Sequence, residues 1–213
     1  MNIGIIGTGI VGRTLAEGFL KHEHQVRLAT RNPEKIQDWL AEHRQVGTGT
    51  HKEVAAWAEL VVLAVKGTGA EAAVRLCDAK DLAGKTVIDA TNPIAEAPPE
   101  NGVLKFFTTL DGSLMEQLQR VNPAAHFVKA FNSVGSAHMV GPDFGGTKPT
   151  MFICGNDEGA KAQVTGILEA FGWEVEDMGG AEAARAIEPL CMLWCIPGFL
   201  RNEWTHAFKL LKG

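Results

Sequence analysis

Apolar residues in this chain come in short unbroken runs, separated by longer stretches in which they recur every three to four residues. Ile3–Ile6, Leu60–Val65 and Thr86–Ala90 are runs of the length and type of parallel strands buried on both faces. His24–Ala29, His126–Phe131 and Pro149–Cys154 read as further strands, Gln45–Thr48 as a short edge strand and Trp173–Val175 as a last one. Between them the spacing turns helical. Leu15, Ala16 and Phe19 share one face, and Pro33 suits the first turn of a helix over Pro33–Arg44. Thr50-His51-Lys52-Glu53 has the capping-box form that opens a short helix. Further helices are expected over Ala70–Cys77, over Ser113–Gln119 with Leu114, Met115 and Leu118 inward, and over Asp157–Phe171, closed by Gly172. Strand and helix alternate throughout, which predicts an α/β fold of the Rossmann type, a doubly wound and mainly parallel sheet.

Two stretches depart from that rhythm. Ala95–Leu118 carries the turn signals Pro98-Pro99, Asn101-Gly102 and Asp111-Gly112. Ala181–Leu211 is crowded with large apolar groups and reads as a C-terminal helical pair broken at Pro197-Gly198, with Pro189 kinking or delimiting the first helix. The expected division is therefore residues 1–180 as a nucleotide-binding domain and 181–213 as a helical appendage that packs on it or on a second subunit, giving a homodimer.

The chemistry starts at the first strand. Gly7, Gly9 and Gly12 follow it in the spacing G-x-G-x-x-G and lead into a helix. The first glycine permits a tight turn, the second lets a pyrophosphate approach the backbone, and the third lets helix and strand lie close together. The helix start offers free N–H groups and the positive end of its dipole to the phosphates. Thr8, Ile10 and Val11 belong to the same turn and are counted as cofactor-binding with it.

The second strand says which dinucleotide. An acidic residue about 20 positions past the glycines commonly holds the ribose hydroxyls of NAD. Here Thr30, Arg31, Asn32 and Lys35 occupy that region, and Thr30 lies 18 residues after Gly12. A carboxylate would repel a 2′-phosphate, whereas hydroxyl, guanidinium and ammonium groups hold one by charge-assisted bonds. The pattern favours NADP(H) over NAD(H).

In a doubly wound sheet, ligands bind beyond the carboxyl ends of the strands. Those ends add Ala64, Val65 and Lys66, then Asn92, then Ala130 and Asn132 to the candidate site. Asn92 and Asn132 can hydrogen-bond a carboxamide or substrate, or can simply serve their turns. His138, just past the Asn132 turn, is the candidate proton donor and the one catalytic candidate. There is no Ser-His-Asp order, metal-ligand run or CxxC, and hydride transfer needs little acid–base help.

Composition narrows the partners. A net charge of −5 argues against nucleic acid and anionic membranes as partners. The partner that hydride transfer itself calls for is a small-molecule hydride acceptor. The four cysteines show no secreted framework and fit a cytoplasmic protein. The apolar stretch at Leu190–Leu200 is interrupted by Pro197-Gly198 and reads as too short to span a bilayer, so no membrane partner is expected.

GIIGTGIVG, ATRNPEK, LAVKG, DATNP and VKAFNSVG, in this order, resemble the coenzyme F-420-dependent NADP oxidoreductase family, which includes the NADP-binding domains of STEAP-type membrane ferric reductases. The resemblance extends through PTMFICGND and EPLCMLW to nearly the whole chain. It implies that Thr8, Thr30, Arg31 and Lys35 hold the 2′-phosphate and that Ala130-Phe131-Asn132 packs near the nicotinamide. It also implies hydride transfer between NADP(H) and a deazaflavin or flavin. KAFNSVG is closer to the ferric-reductase type, and no transmembrane haem domain lies in this sequence. An NADPH-dependent reductase of a small carbonyl or imine and a non-enzymatic NADP(H) sensor are the alternatives.

Overall fold

The computed structural model describes all 213 residues. The first strand, β1 (Asn2–Ile6), lies between β2 (Gln25–Ala29) and β4 (Leu60–Leu63) and pairs with both in parallel. β3 (Gly47–Gly49) flanks β2, and β5 (Thr86–Asp89) and β6 (His126–Lys129) extend the other side, all parallel. β7 (Thr150–Gly155) runs antiparallel to β6, and β8 (Glu174–Asp177) pairs parallel with β7. The eight strands stand in the order β3-β2-β1-β4-β5-β6-β7-β8, and the chain reverses its direction of travel across the sheet between β1 and β4, where such folds bind ligands.

Alternate residues of each strand feed two cores. Leu60 and Val62 face one side of the sheet, where α1 (Ile10–Lys21) and α7 (Glu158–Ala170) bring Leu15, Phe19, Val164 and Leu168. Val61 and Leu63 face the other, against α3 (His51–Trp57), α4 (Gly67–Arg75) and α6 (Leu114–Val121). Thr50 and Glu53 form the expected capping box. Ser113 and Glu116 form a second at the start of α6, whose Leu114, Met115 and Leu118 are buried as expected.

Three elements differ from the sequence expectation. The helix over 33–44 begins as a tight 3₁₀ turn, Pro33–Ile36, before a short α2 (Gln37–Glu42). α5 (Ala79–Leu82) is an extra single turn ahead of β5. The C-terminal helical pair is a single helix, α8 (Ala184–Arg201), that runs unbroken through Pro189 and Pro197.

Each proline of α8 deletes one helical N–H, but Ile187, Cys191 and Trp194 bury along one side and hold the helix together. Gly198 is a saddle for Trp204: a Cβ there would collide with the indole ring. The helix ends where Asn202 turns left-handed, at φ +56°. The rest of the chain, without regular structure, returns to the sheet: Phe208 accepts from the Thr150 N–H, and Lys209 and Lys212 pair with Glu174 and Glu176 of β8. With the 3₁₀ turn before it, the helix covers Ala181–Arg201 and is long and apolar enough, by length and composition alone, to cross a membrane. The expected interruption at Pro197-Gly198 does not occur.

Candidate functional site

The turn after β1 is built by its glycines. Gly7 has φ +126°, and a Cβ on it would run into the Ala64 carbonyl. Gly12 lies so close to the Gly7 carbonyl that no side chain fits, while nothing lies within 4 Å of a Cβ placed on Gly9. The turn is closed on two sides and open on the third, where α1 presents its first N–H groups.

A crevice of about 370 Å³ opens there. It gathers ten of the candidate residues from three strand ends: Gly7, Thr8 and Gly9; Thr30, Arg31, Asn32 and Lys35; Ala64, Val65 and Lys66. None of its twelve lining residues is acidic. Arg31, Lys35 and Lys66 form no ion pair, although carboxylates elsewhere engage Lys52, Arg75, Lys161 and Arg185. Thr30 Oγ1 accepts a bond from the Asn32 N–H at 3.0 Å, which fixes the loop and leaves the hydroxyl proton free for a ligand oxygen. An open glycine turn at a helix start, flanked by three unpaired cations and a hydroxyl, fits a dinucleotide carrying an extra phosphate.

The sequence reading passed over one member of this wall. His51, the first residue of α3, lines the crevice with Arg31 and Lys35. Its partial burial, followed by the nearby Arg31 guanidinium, lowers its pKa from the ordinary imidazole value. Only its place inside the capping box was visible in the sequence.

The remaining candidates lie elsewhere. Ile10 is exposed at the start of α1, Val11 is half-buried and Gly12 lies beneath the turn. Asn92 lines an adjoining groove of about 630 Å³ that shares Val65 and Lys66 with the first crevice. Gly67 shapes the groove, since a Cβ there would strike the Asn92 carbonyl. A wider hollow of about 830 Å³ continues between α4 and α6, sharing Thr68 and Glu96 and walled by Phe107 and Leu114.

Ala130 and Asn132 are buried. The Asn132 amide group donates to Asn92 Oδ1 at 3.2 Å and to the Ile187 carbonyl of α8 at 3.0 Å, while Asn92 Nδ2 donates to the Asn132 carbonyl at 2.8 Å. The two asparagines thus clasp the ends of β5 and β6 to α8. Between Ala130 and Asn132 the buried Phe131 is held at φ +62°, a left-handed conformation rare for an aromatic residue, with its N–H donating to Met151 Sδ. His138 is not brought into the groove. It ends the 3₁₀ turn Ser136–His138, which packs against α1, and its ring lies tilted against that of Phe144, with ring centres 5.1 Å apart.

Beneath the clasp lies a cluster that sequence reasoning missed. Lys129, fully buried at the end of β6, places Nζ 2.7 Å from Asp89 Oδ2, 2.9 Å from Glu188 Oε1 and 2.9 Å from the Thr91 carbonyl. Burial opposes the charge on Lys129, but the two carboxylates outweigh it and hold its pKa above the ordinary value. Asp89 Oδ1 accepts from the Thr91 N–H and hydroxyl, and Glu188 accepts the first two N–H groups of α6, from Leu114 and Met115. The second negative charge is thereby offset by a helix start. Residues 89, 129 and 188 are far apart in the chain, and no local pattern announces their meeting.

Comparison with known proteins places this geometry. A family described as NADP oxidoreductase coenzyme F420-dependent matches residues 2–93. The metalloreductase STEAP3 of Rattus norvegicus is 30% identical over 203 residues, which are 93% of this chain and 38% of that protein's length. A solved structure from Arthrobacter sp. FB24, provisionally named an F420-dependent NADP-reductase, is 34% identical, with TM-score 0.93 and full coverage of both chains. An imine reductase of Streptomyces aurantiacus shares the fold, at TM-score 0.67 and 16% identity, over 94% of this chain and 63% of its own.

Proposed function

The chain belongs to the coenzyme F420-dependent NADP oxidoreductase family, and from that premise we propose that it transfers hydride between NADP(H) and a flavin-like or deazaflavin acceptor. The observation that carries this reading is the crevice beyond β1 and β2, with Arg31, Lys35 and Lys66 unpaired and no carboxylate in its wall. The extra phosphate of NADP(H) supplies the missing negative charge. Thr30 and Thr8 add hydroxyl donors, and the open side of Gly9 and the start of α1 receive the pyrophosphate.

When bound, the cofactor supplies the hydride; the protein's part is position and exclusion of water. Val65 and Lys66, shared by the cationic crevice and the groove at Asn92, would hold the stretch of the nucleotide between its phosphates and its nicotinamide. Asn92 lines the groove that would receive the nicotinamide end, and the buried Asn132 and Phe131 hold it in place from behind. The hollow walled by Phe107 and Leu114 is wide enough to seat a flat tricyclic acceptor. No side chain needs to exchange a proton with the cofactor during hydride transfer, in keeping with the position of His138 outside the groove.

The proposal extends to a homodimer formed through the outer side of α8, where Leu193, Phe199 and Leu200 are exposed, and to a reducing cytosol for its four free thiols. Sedimentation velocity measures the first. The test of function is loss of NADPH absorbance in the presence of coenzyme F420, flavin mononucleotide or riboflavin. Turnover with any of these supports the reading. If NADPH binds and none is reduced, while a cyclic imine is, the imine-reductase alternative replaces it; binding without turnover of any acceptor leaves a sensor.

A further inference from the structure

We propose that His51 is a proton-linked ligand of the 2′-phosphate, taking up a proton as NADP(H) binds and thereby coupling cofactor choice to pH. The inference rests on the NADP(H) reading above. It starts from position: His51 comes from α3, a different element from the basic loop after β2, yet its half-buried ring lines the same crevice as Thr30, Arg31 and Lys35. The ring forms no hydrogen bond or ion pair within the chain, unlike His43, which bonds the Trp39 carbonyl, and His206, which bonds the Trp194 carbonyl.

The charges around it set the direction of the response. Arg31, Lys35 and Lys66 face the crevice and oppose a further positive charge. The carboxylates close by in the chain are engaged elsewhere: Glu53 is held by the Thr50 cap, and Asp78, ahead of α5, pairs with Lys52. Arg27 of β2 lies over the Trp57 ring. Burial and Arg31 therefore favour the neutral imidazole in the free protein.

A phosphate monoester has its second pKa near ~6 and carries close to two negative charges above neutrality. Placed among these groups it reverses the field, and the imidazolium becomes the favoured form. One proton then passes from solvent to the ring. NAD(H), without the 2′-phosphate, induces no such uptake. The sign follows: His51 contributes to NADP(H) affinity on the acid side of its pKa in the complex, and the contribution fades as pH rises through that value.

Titration calorimetry of the full-length protein with NADP+ and NAD+, in HEPES and in Tris at about pH 7.5, reads the proton count from the difference in apparent heat, since the two buffers differ in ionisation enthalpy and neither carries a phosphate that would compete for the subsite. Uptake with NADP+ and none with NAD+ is expected. His51→Gln should abolish the uptake and weaken NADP+ by about tenfold near neutrality, the loss of one charge-assisted bond. His51→Arg, charged at every pH, should keep the affinity and flatten its pH dependence. Uptake that persists in His51→Gln, or an equal loss for NAD+, overturns the proposal. If instead the unaltered protein binds NADP+ and NAD+ equally, the reading of the crevice itself fails; if it prefers NADP+ and loses that preference in Arg31→Ala but not in His51→Gln, only the role of His51 fails.

Discussion

Two groups of charge sit at carboxyl ends of strands in the same sheet and are built on opposite terms. At β1, β2 and β4, Arg31, Lys35 and Lys66 stand in an open crevice with no carboxylate among them. At β5 and β6, Lys129 is sealed from water with two carboxylates on it. Unpaired cations kept near water cost the fold little and remain available to a ligand. A buried cation is tolerable only because every one of its directions is filled. The contrast teaches how to sort charged residues in such a fold: the ones missing partners mark where something binds, and the ones with every partner mark what holds the floor still.

The widest separation between the two regions should come from removing Lys129. Lys129→Met strands Asp89 and Glu188 in the interior, and the expected loss of stability is about 3–5 kcal/mol, read by urea unfolding. A loss below about 1 kcal/mol would mean that water reaches the cluster. Arg31→Ala should do the opposite. Stability should stay within about 0.5 kcal/mol, while the NADPH dissociation constant rises tenfold or more, as the loss of a bond worth about 1.5–3 kcal/mol requires. NADH should bind nearly as before, and equal losses for both cofactors would remove Arg31 from the phosphate subsite.

The smallest effect probes a pair between these extremes. Glu116 is bound by Arg185 and caps α6 with Ser113. The Arg185 bonds, against the cost of partial burial and aided by those to Ser113, hold its pKa at about 2, below the ordinary 4.5. A depressed carboxyl pKa stabilises fully above the unfolded value and loses that contribution as pH falls through the folded one. The stability difference between the natural protein and Glu116→Gln should therefore hold at neutrality, shrink below about pH 4.5 and vanish near pH 2. A difference independent of pH would assign the effect to packing.

These regions also divide what the amino-acid order reveals. The crevice was legible because its parts are local: a glycine turn with fixed spacing, and a basic loop just after a strand whose end is dictated by an apolar run. The capping box at Thr50 was legible for the same reason. The Lys129 cluster was not, because Asp89, Lys129 and Glu188 meet only when the sheet and α8 are assembled. His51 was hidden behind its more obvious place in a helix start. The continuity of α8 is not legible locally because Pro197-Gly198 is a strong stop signal. Burial of Ile187, Cys191 and Trp194, and the seat that Gly198 gives Trp204, outweigh that signal through contacts no local window contains.

Glu188 gives α8 a status that its terminal position conceals. Its carboxylate is shared between Lys129 and the opening N–H groups of α6. Peeling the helix away would leave an ammonium with half its counter-charge and two amide hydrogens with no acceptor. The last thirty residues are thus a keystone and not an ornament: a chain cut ahead of position 188 should lose its fold entirely, and melting should proceed as one event.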